Sequence, residues 1–185
     1  RFTLNDLSPL FKLFPDDVQF FKEAYSQSKN LSEAVIRYMD HLFGAEGLIC
    51  LDADQPALKA LFTEVIQADV LHQAHEGIVQ QTTKGLQDLG YKTQVNARPI
   101  NFFYLGDQLR ERIEQEGDNF VVQQTNLRFS AKEIQNEIKS NPERFSPNVI
   151  LRPLYQECIL PNLAYLGGPA EIIYWLQLKG VFDLH

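Results

Sequence analysis

The sequence is short of the residues that declare a chemistry. Two cysteines, Cys50 and Cys158, stand among its 185 residues. Both lie in apolar runs and have no Cys-x-x-Cys spacing, which speaks against a disulfide framework and for reduced thiols. With Ile159 and Leu160 beside it, Cys158 reads as a buried thiol of raised pKa and not as a nucleophile. No Gly-x-Gly-x-x-Gly, no Gly-Lys-[Ser/Thr] loop and no Gly-x-Ser-x-Gly elbow occurs, so these residues carry neither a nucleotide fingerprint nor a triad signature. His72-x-x-His75-Glu76 is neither the His-Glu-x-x-His zinc motif nor its inverse, and no third ligand accompanies it, so no metal site is expected. His41 reads as structural. No apolar run nears the roughly 20 residues of a membrane span, and no secretory leader pattern is seen. Positive charge is scarce: 17 Lys and Arg against 24 Asp and Glu leave a formal net charge of −7. That balance speaks against a dedicated nucleic-acid binder, whose footprint is a basic patch. Internal repeats and low-complexity tracts are missing.

What is there is an ordinary globular balance, 44% hydrophobic and 22% charged, in a length that suits one domain. Arg1 in place of Met fits a piece cut from a longer chain. Residues 1–30 are rich in aromatics (Phe2, Phe11, Phe14, Phe20, Phe21, Tyr25), broken by Pro9 and Pro15, with Asp16 able to cap a short helix through Tyr25. These aromatics are expected to dock the segment onto the core. Leu31 to Phe43 has the i, i+3, i+4, i+7 apolar pattern of an amphipathic helix, with Asn30 and Glu33 as a capping box and Gly44 as its stop. Leu48 to Leu51 is continuously apolar and reads as a central strand covered on both faces. A long helical stretch follows from Pro56 to Leu89, capped by Asp54, with Gly77 and Gly85 as points of weakness.

The pattern then changes. Lys92–Asn96, Ile100–Leu105, Leu109–Glu114 and Asn119–Gln124 read as short strands joined by turns at Gly106-Asp107 and Gly117-Asp118. Leu109, Glu111 and Ile113 share one face of their strand. Residues 92–124 are thus an antiparallel, strand-rich insert. Ser130 and Glu133 make a capping box for a short helix that Asn141-Pro142 closes. Ala164–Leu166 reads as a buried strand, Gly167-Gly168 as a turn of positive φ, and Pro169 as the start of a helix that ends near Lys179 and Gly180. The expected fold is α/β: one incomplete Rossmann-like domain over 1–185, with a parallel core and the antiparallel insertion.

Candidate chemistry concentrates between residues 144 and 179, where Arg152, Gln156, Glu157 and Glu171 interrupt a proline-stiffened apolar frame. Unpaired buried charge is costly, so such groups serve either a ligand or each other. Arg152 either forks onto a substrate carboxylate or phosphate, or braces the fold against Glu157 or Glu171. A strand, a glycine turn and a helix start make an anion site of backbone N–H groups, or only a tight turn. Asp52, at the carboxyl end of the predicted strand, is placed to orient a hydroxyl, an amine or a magnesium ion.

Arg144-Phe-Ser-Pro-Asn-Val-Ile-Leu-Arg-Pro-Leu-Tyr-Gln-Glu157, then Leu160-Pro, Ala164-Tyr-Leu-Gly-Gly-Pro-Ala-Glu171 and Tyr174-Trp-Leu-Gln-Leu-Lys179, resembles the bacillithiol-biosynthesis cysteine-adding enzymes. Leu51-Asp-Ala-Asp54, Leu58-Lys59 and Gly90-Tyr91 match as well. The resemblance implies a cytoplasmic bacterial ligase that joins cysteine to the amino group of glucosaminyl malate, with ATP or another nucleotide as acyl activator. It implies small-molecule substrates and no nucleic acid or membrane partner, and a full-length homodimer held by a coiled coil. The family's chains are much longer, so the resemblance also implies that this is a central piece, inactive alone, without the upstream Rossmann half and its Thr-Gly-Gln-Gln type segment and without the coiled coil. The site contributors it implies are Asn148, Arg152, Gln156, Glu157, Tyr165, Gly167, Gly168 and Glu171, to which the strand-edge reading adds Asp52 as a substrate-binding residue. Arg152 would hold an anion, Gly167 and Gly168 would let N–H groups approach it, and Glu157 or Glu171 would act as the catalytic carboxylate that receives the amine. The alternative is a non-catalytic binding or scaffold module of α/β class, with the insert docking a partner. A ligase piece should bring these side chains to an open pocket at the Asp52 edge, whereas a scaffold should pair and seal them.

Overall fold

A computed structural model describes residues 8–13 and 19–185. Asp16, Phe2, Phe14 and Pro15 lie outside the described residues. The chain divides into two units, Arg1–Ala53 and Asp54–His185.

The described part of the first unit is helical: α1 Ser8–Leu13, α2 Gln19–Ser26 and α3 Leu31–Phe43. Asn30 caps α3 by accepting the Glu33 N–H at 2.9 Å, while the Glu33 carboxylate accepts from the N–H of Lys29 and not of Asn30. The aromatics of α2 dock on α3, with ring centroids 5.0 Å apart for Phe21 and Tyr38 and 4.6 Å for Phe20 and His41. The stop comes later than expected. Gly44 keeps right-handed geometry and opens a single 3-10 turn, and it is Gly47, at φ 85°, that reverses the chain. Leu48–Leu51 forms no strand, and Ile49 is 73% exposed. Continuous apolarity marks a central strand only where neighbours pair with it, and no described strand does.

The second unit begins with three helices, α4 Pro56–Ala60, α5 Thr63–His72 and α6 Glu76–Asp88, in place of one long one. The main break falls at Gln73, whose φ of 51° is left-handed, and not at Gly77 or Gly85, which sit inside α6. Asp69 explains it: its buried carboxylate accepts from the His75 ring at 2.8 Å, a contact that needs the chain to turn back after α5.

Strands β1 Phe102–Gly106, β2 Leu109–Glu116, β3 Asn119–Val122 and β4 Arg128–Ser130 follow, then α7 Ala131–Ser140 and β5 Phe145–Pro147. They form one sheet in the order β4-β3-β2-β1-β5, antiparallel at every pairing. Two-residue turns join β1 to β2 and β2 to β3, with positive φ at Gln108 and Gly117, the geometry that suits the twist of a hairpin. Ser130 and Glu133 make the full reciprocal box at the start of α7. One sheet face carries Phe102, Tyr104, Ile113, Phe120 and Val122 into a core shared with Phe62, Ile66, Ile134, Ile138 and Phe145. No two described strands run parallel, so the expected parallel core is not formed here.

Helices α8 Arg152–Ile159, α9 Pro169–Gln177 and α10 Lys179–Leu184 complete the unit. Gly180, expected as a stop signal, lies inside α10, where it admits α6: a Cβ there would stand 2.5 Å from Ile78 Cγ2. Ala164–Leu166 is not a strand, and Leu166 is 97% exposed. Lys92–Asn96 also lacks a strand partner, for an instructive reason. The buried Gln177 amide takes the place of one: its Oε1 accepts the N–H groups of Gln94 and Val95 at 2.8 and 3.1 Å, and its Nε2 donates to the Val95 carbonyl at 2.9 Å. Replacing it, Gln177→Leu, leaves three main-chain groups without these partners. These groups are only part-buried, so each lost bond costs about the net 0.5–1.5 kcal/mol of an ordinary hydrogen bond. Urea unfolding should therefore show a loss of about 2–4 kcal/mol, and an unchanged midpoint would refute this bracing role.

Candidate functional site

The loop from β5 into α8 is set by amides. Asn148 Oδ1 accepts the Ile150 N–H at 2.8 Å, and its Nδ2 donates to Asn101 Oδ1 at 3.0 Å. Asn101 is itself buried on Asp69, donating its N–H to Oδ2 at 2.5 Å and its Nδ2 to Oδ1 at 3.1 Å. Arg152 is the first residue of α8 and Pro153 its second.

Arg152 is the centre of a convergent cluster. Its Nη2 donates to Glu171 Oε1 at 3.1 Å and to the Tyr174 hydroxyl at 2.9 Å, and its Nη1 reaches Gln156 Oε1 at 3.4 Å. The Tyr174 hydroxyl donates to Glu171 at 3.2 Å. Tyr165 adds a further hydrogen bond, and this bond first, then those from Tyr174 and Arg152, holds the Glu171 carboxyl below its usual range. Burial works against the Arg152 charge, but Tyr174 and Glu171 more than offset it and raise the pKa. Tyr165 is pinned by stacking on Trp175, 4.1 Å between centroids at 8°.

The glycine pair does not work as expected. Neither Gly167 nor Gly168 has positive φ; Gly168 is the extended N-cap residue of α9. Gly167 is needed for space, because a Cβ there would stand 2.9 Å from the Tyr165 ring. Glu157 turns elsewhere, accepting the Asn162 N–H at 3.2 Å and Nδ2 at 2.7 Å, and so braces the loop after α8. Asp52 belongs to the first unit and is half-buried in coil, not at a strand edge. Asp54 does not cap α4, whose N-cap residue is Gln55; it pairs with the buried Lys59 Nζ at 3.0 Å. His75 is engaged by Asp69 and by His185, with 2.8 and 2.9 Å contacts.

Asn148 and Arg152 open onto a cleft of about 590 Å³ over the outward face of the sheet. Four arginines line it, Arg98, Arg110, Arg112 and Arg152, together with Asn101 and Asn148, and no carboxylate does. The alternation of β2 explains two of them: Ile113 points to the core, so Arg110 and Arg112 point away from it. Arg110 lies over Phe103, with Cζ 3.8 Å from the ring centroid. Sequence reasoning missed Arg98, Arg110 and Arg112. For Arg110 and Arg112 the available signal was their Arg-x-Arg alternation on a strand whose other face was expected to carry Leu109, Glu111 and Ile113.

A concave, cation-lined cleft on a mixed α/β unit defines a domain fit to bind small anionic molecules. A family model described as bacillithiol biosynthesis BshC, N-terminal Rossmann-like domain, matches residues 7–185, and the chain belongs to that family. A protein of Cytophaga hutchinsonii named "Putative cysteine ligase BshC" is 47% identical over 185 residues, covering 100% of this chain and 35% of that protein. Proteins of the same name from Flavobacterium psychrophilum and Salinibacter ruber are 48% and 38% identical, covering 90% and 97% of this chain and 31% and 33% of theirs. The chain thus spans about a third of the length of these relatives. Among the described residues no helix is long and apolar enough to cross a membrane.

Cys158 is exposed, contrary to the sequence expectation, yet partial burial of the thiol and then the neighbouring Glu157 push its pKa up. A raised pKa leaves less thiolate at neutral pH. In a Cys50→Ser background, alkylation by iodoacetamide should be slower than for free cysteine at pH 7 and should climb steeply above pH about 8.5. A rate matching free cysteine at pH 7 would contradict this.

Proposed function

We propose that this chain is part of a cysteine ligase of bacillithiol biosynthesis, acting on cysteine and glucosaminyl malate by forming an amide bond. The amine attacks the activated carboxyl carbon of cysteine, the activating group leaves with its bonding electrons, and the amine gives up a proton. ATP or another nucleotide supplies the activation. The names carried by the relatives support the ligase class. The observation that carries the site is Arg152 at a cleft with four arginines and no carboxylate, in a chain of net charge −7. Malyl carboxylates and nucleotide phosphates are the anions of this reaction that such a cleft suits.

In this reading Arg152 holds an anion, and Glu171, kept ionised beside it, receives the ammonium group or the proton that the amine releases. Glu157, committed to Asn162, supports the loop, and Gln156, Tyr165 and Asn148 position the cluster. Asp52, in the first unit, is taken by itself as a group able to orient a hydroxyl, an amine or a magnesium ion. A scaffold would seal these groups, whereas the Arg152 and Glu171 side chains keep 46% and 31% of their surface exposed. In this reading the parallel Rossmann strands belong to the longer protein. That protein works in the cytoplasm as a homodimer joined by a coiled coil.

Arg152→Ala in the full-length enzyme should lower kcat/KM for glucosaminyl malate by about tenfold or more, since charged hydrogen bonds contribute roughly 1.5–3 kcal/mol. The melting temperature should hold. Unchanged kinetics would remove Arg152 from the site.

A further inference from the structure

The arginines of the cleft differ in how far their charge is already answered. Arg152 meets Glu171 at 3.1 Å. Arg110 lies over the Phe103 ring, whose electron-rich face offers partial compensation. Arg98 and Arg112 have neither: among the described residues no carboxylate pairs with either guanidinium. Glu111 alternates to the other face of β2, and Glu114, on the same face as Arg112, accepts from Gln123 Nε2 at 2.9 Å. Arg98 and Arg112 also line a second cavity of about 460 Å³, whose wall carries one carboxylate, Glu114, so both stand where the two hollows meet.

Their main chain is fixed in advance. Arg98 donates its N–H to Asn101 Oδ1 at 3.1 Å and accepts from Asn101 Nδ2 at 2.7 Å, and Asn101 rests on the buried Asp69. Arg112 sits in the ladder with Phe103 opposite, and its carbonyl accepts from the Gln123 N–H at 2.8 Å. Two like charges held on one hollow repel each other, and an anion between them relieves that repulsion without a cost of ordering the backbone.

We propose that Arg98 and Arg112 form the primary receptor for a compact dianion, a dicarboxylate or a diphosphate, and set the charge specificity of the cleft. The assignment of that dianion to a substrate rests on the ligase reading; the receptor itself does not.

The test is isothermal titration calorimetry of the full-length protein with L-malate, with inorganic pyrophosphate, and with acetate as the single-charge control. At least one dianion should bind about tenfold or more tightly than acetate. Arg98→Gln and Arg112→Gln should each weaken it by about tenfold, the scale of one charge-assisted pair, while Arg128→Gln, an exposed arginine outside the cleft, should leave it unchanged. A preference for malate points to a carboxylate-bearing acceptor and one for pyrophosphate to a nucleotide, and each supports the receptor. Failure of both dianions to bind, acetate binding as tightly, or undiminished affinity in both variants overturns it. A full-length enzyme that binds the dianion but never joins cysteine to glucosaminyl malate sinks the ligase reading and leaves the receptor standing. Joining activity with undiminished dianion affinity in both variants does the reverse.

Discussion

The carboxylate of Asp69, wholly shielded from water, accepts the Asn101 N–H, the Asn101 amide and the His75 ring. An isolated carboxylate in such a place would be worth several kcal/mol of destabilisation, so these donors are a condition of the fold. Meeting them turns the chain between α5 and α6, brings the start of β1 against α5, and orients the Asn101 amide. That amide in turn holds Arg98 and Asn148 at the cleft. The same buried side chain therefore governs a helical corner inside the core and two residues on the cleft wall.

Elements whose stabilising contacts are local were legible in the sequence. The α7 capping box, the amphipathic α3 and the two hairpins each need only neighbours within a few residues, and each stands close to where its pattern put it. The segments misread as strands, Leu48–Leu51, Lys92–Asn96 and Ala164–Leu166, share a different property. A strand exists only if another stretch of backbone answers its N–H and C=O groups, and the sequence of the strand does not say whether one does. For Gln94 and Val95 the answer is a side chain, Gln177, which no strand pattern includes.

The candidate site divides along the same line. Arg152, Gln156 and Glu171 were singled out because polar groups on an apolar, proline-rich frame need partners, and they do converge, joined by Tyr165, which the family resemblance implied. Glu157 satisfied the same criterion yet found its partner five residues on, in Asn162. The reading of Gly167 and Gly168 through φ failed: Gly167 is constrained by the ring of Tyr165, and Gly168 is the extended cap of α9. Arg98, Arg110 and Arg112 were not singled out: strand alternation puts Arg110 and Arg112 on one face, but only the folded sheet shows that Arg98 and Arg152 share their hollow.

The Gln177 clamp also bears on the order of assembly. The cleft wall contributed by Gln94 and Val95 is held by an amide 83 and 82 residues further along the chain. Synthesis proceeds from the N-terminus, and contacts so distant in sequence close late because the loop between them must be ordered first. On a ribosome the antiparallel sheet, whose pairs are mostly near in sequence, can therefore form while the wall beside it is still unbraced. The cleft reaches its final shape only after α9 has emerged and docked, which makes the receptor a late product of folding.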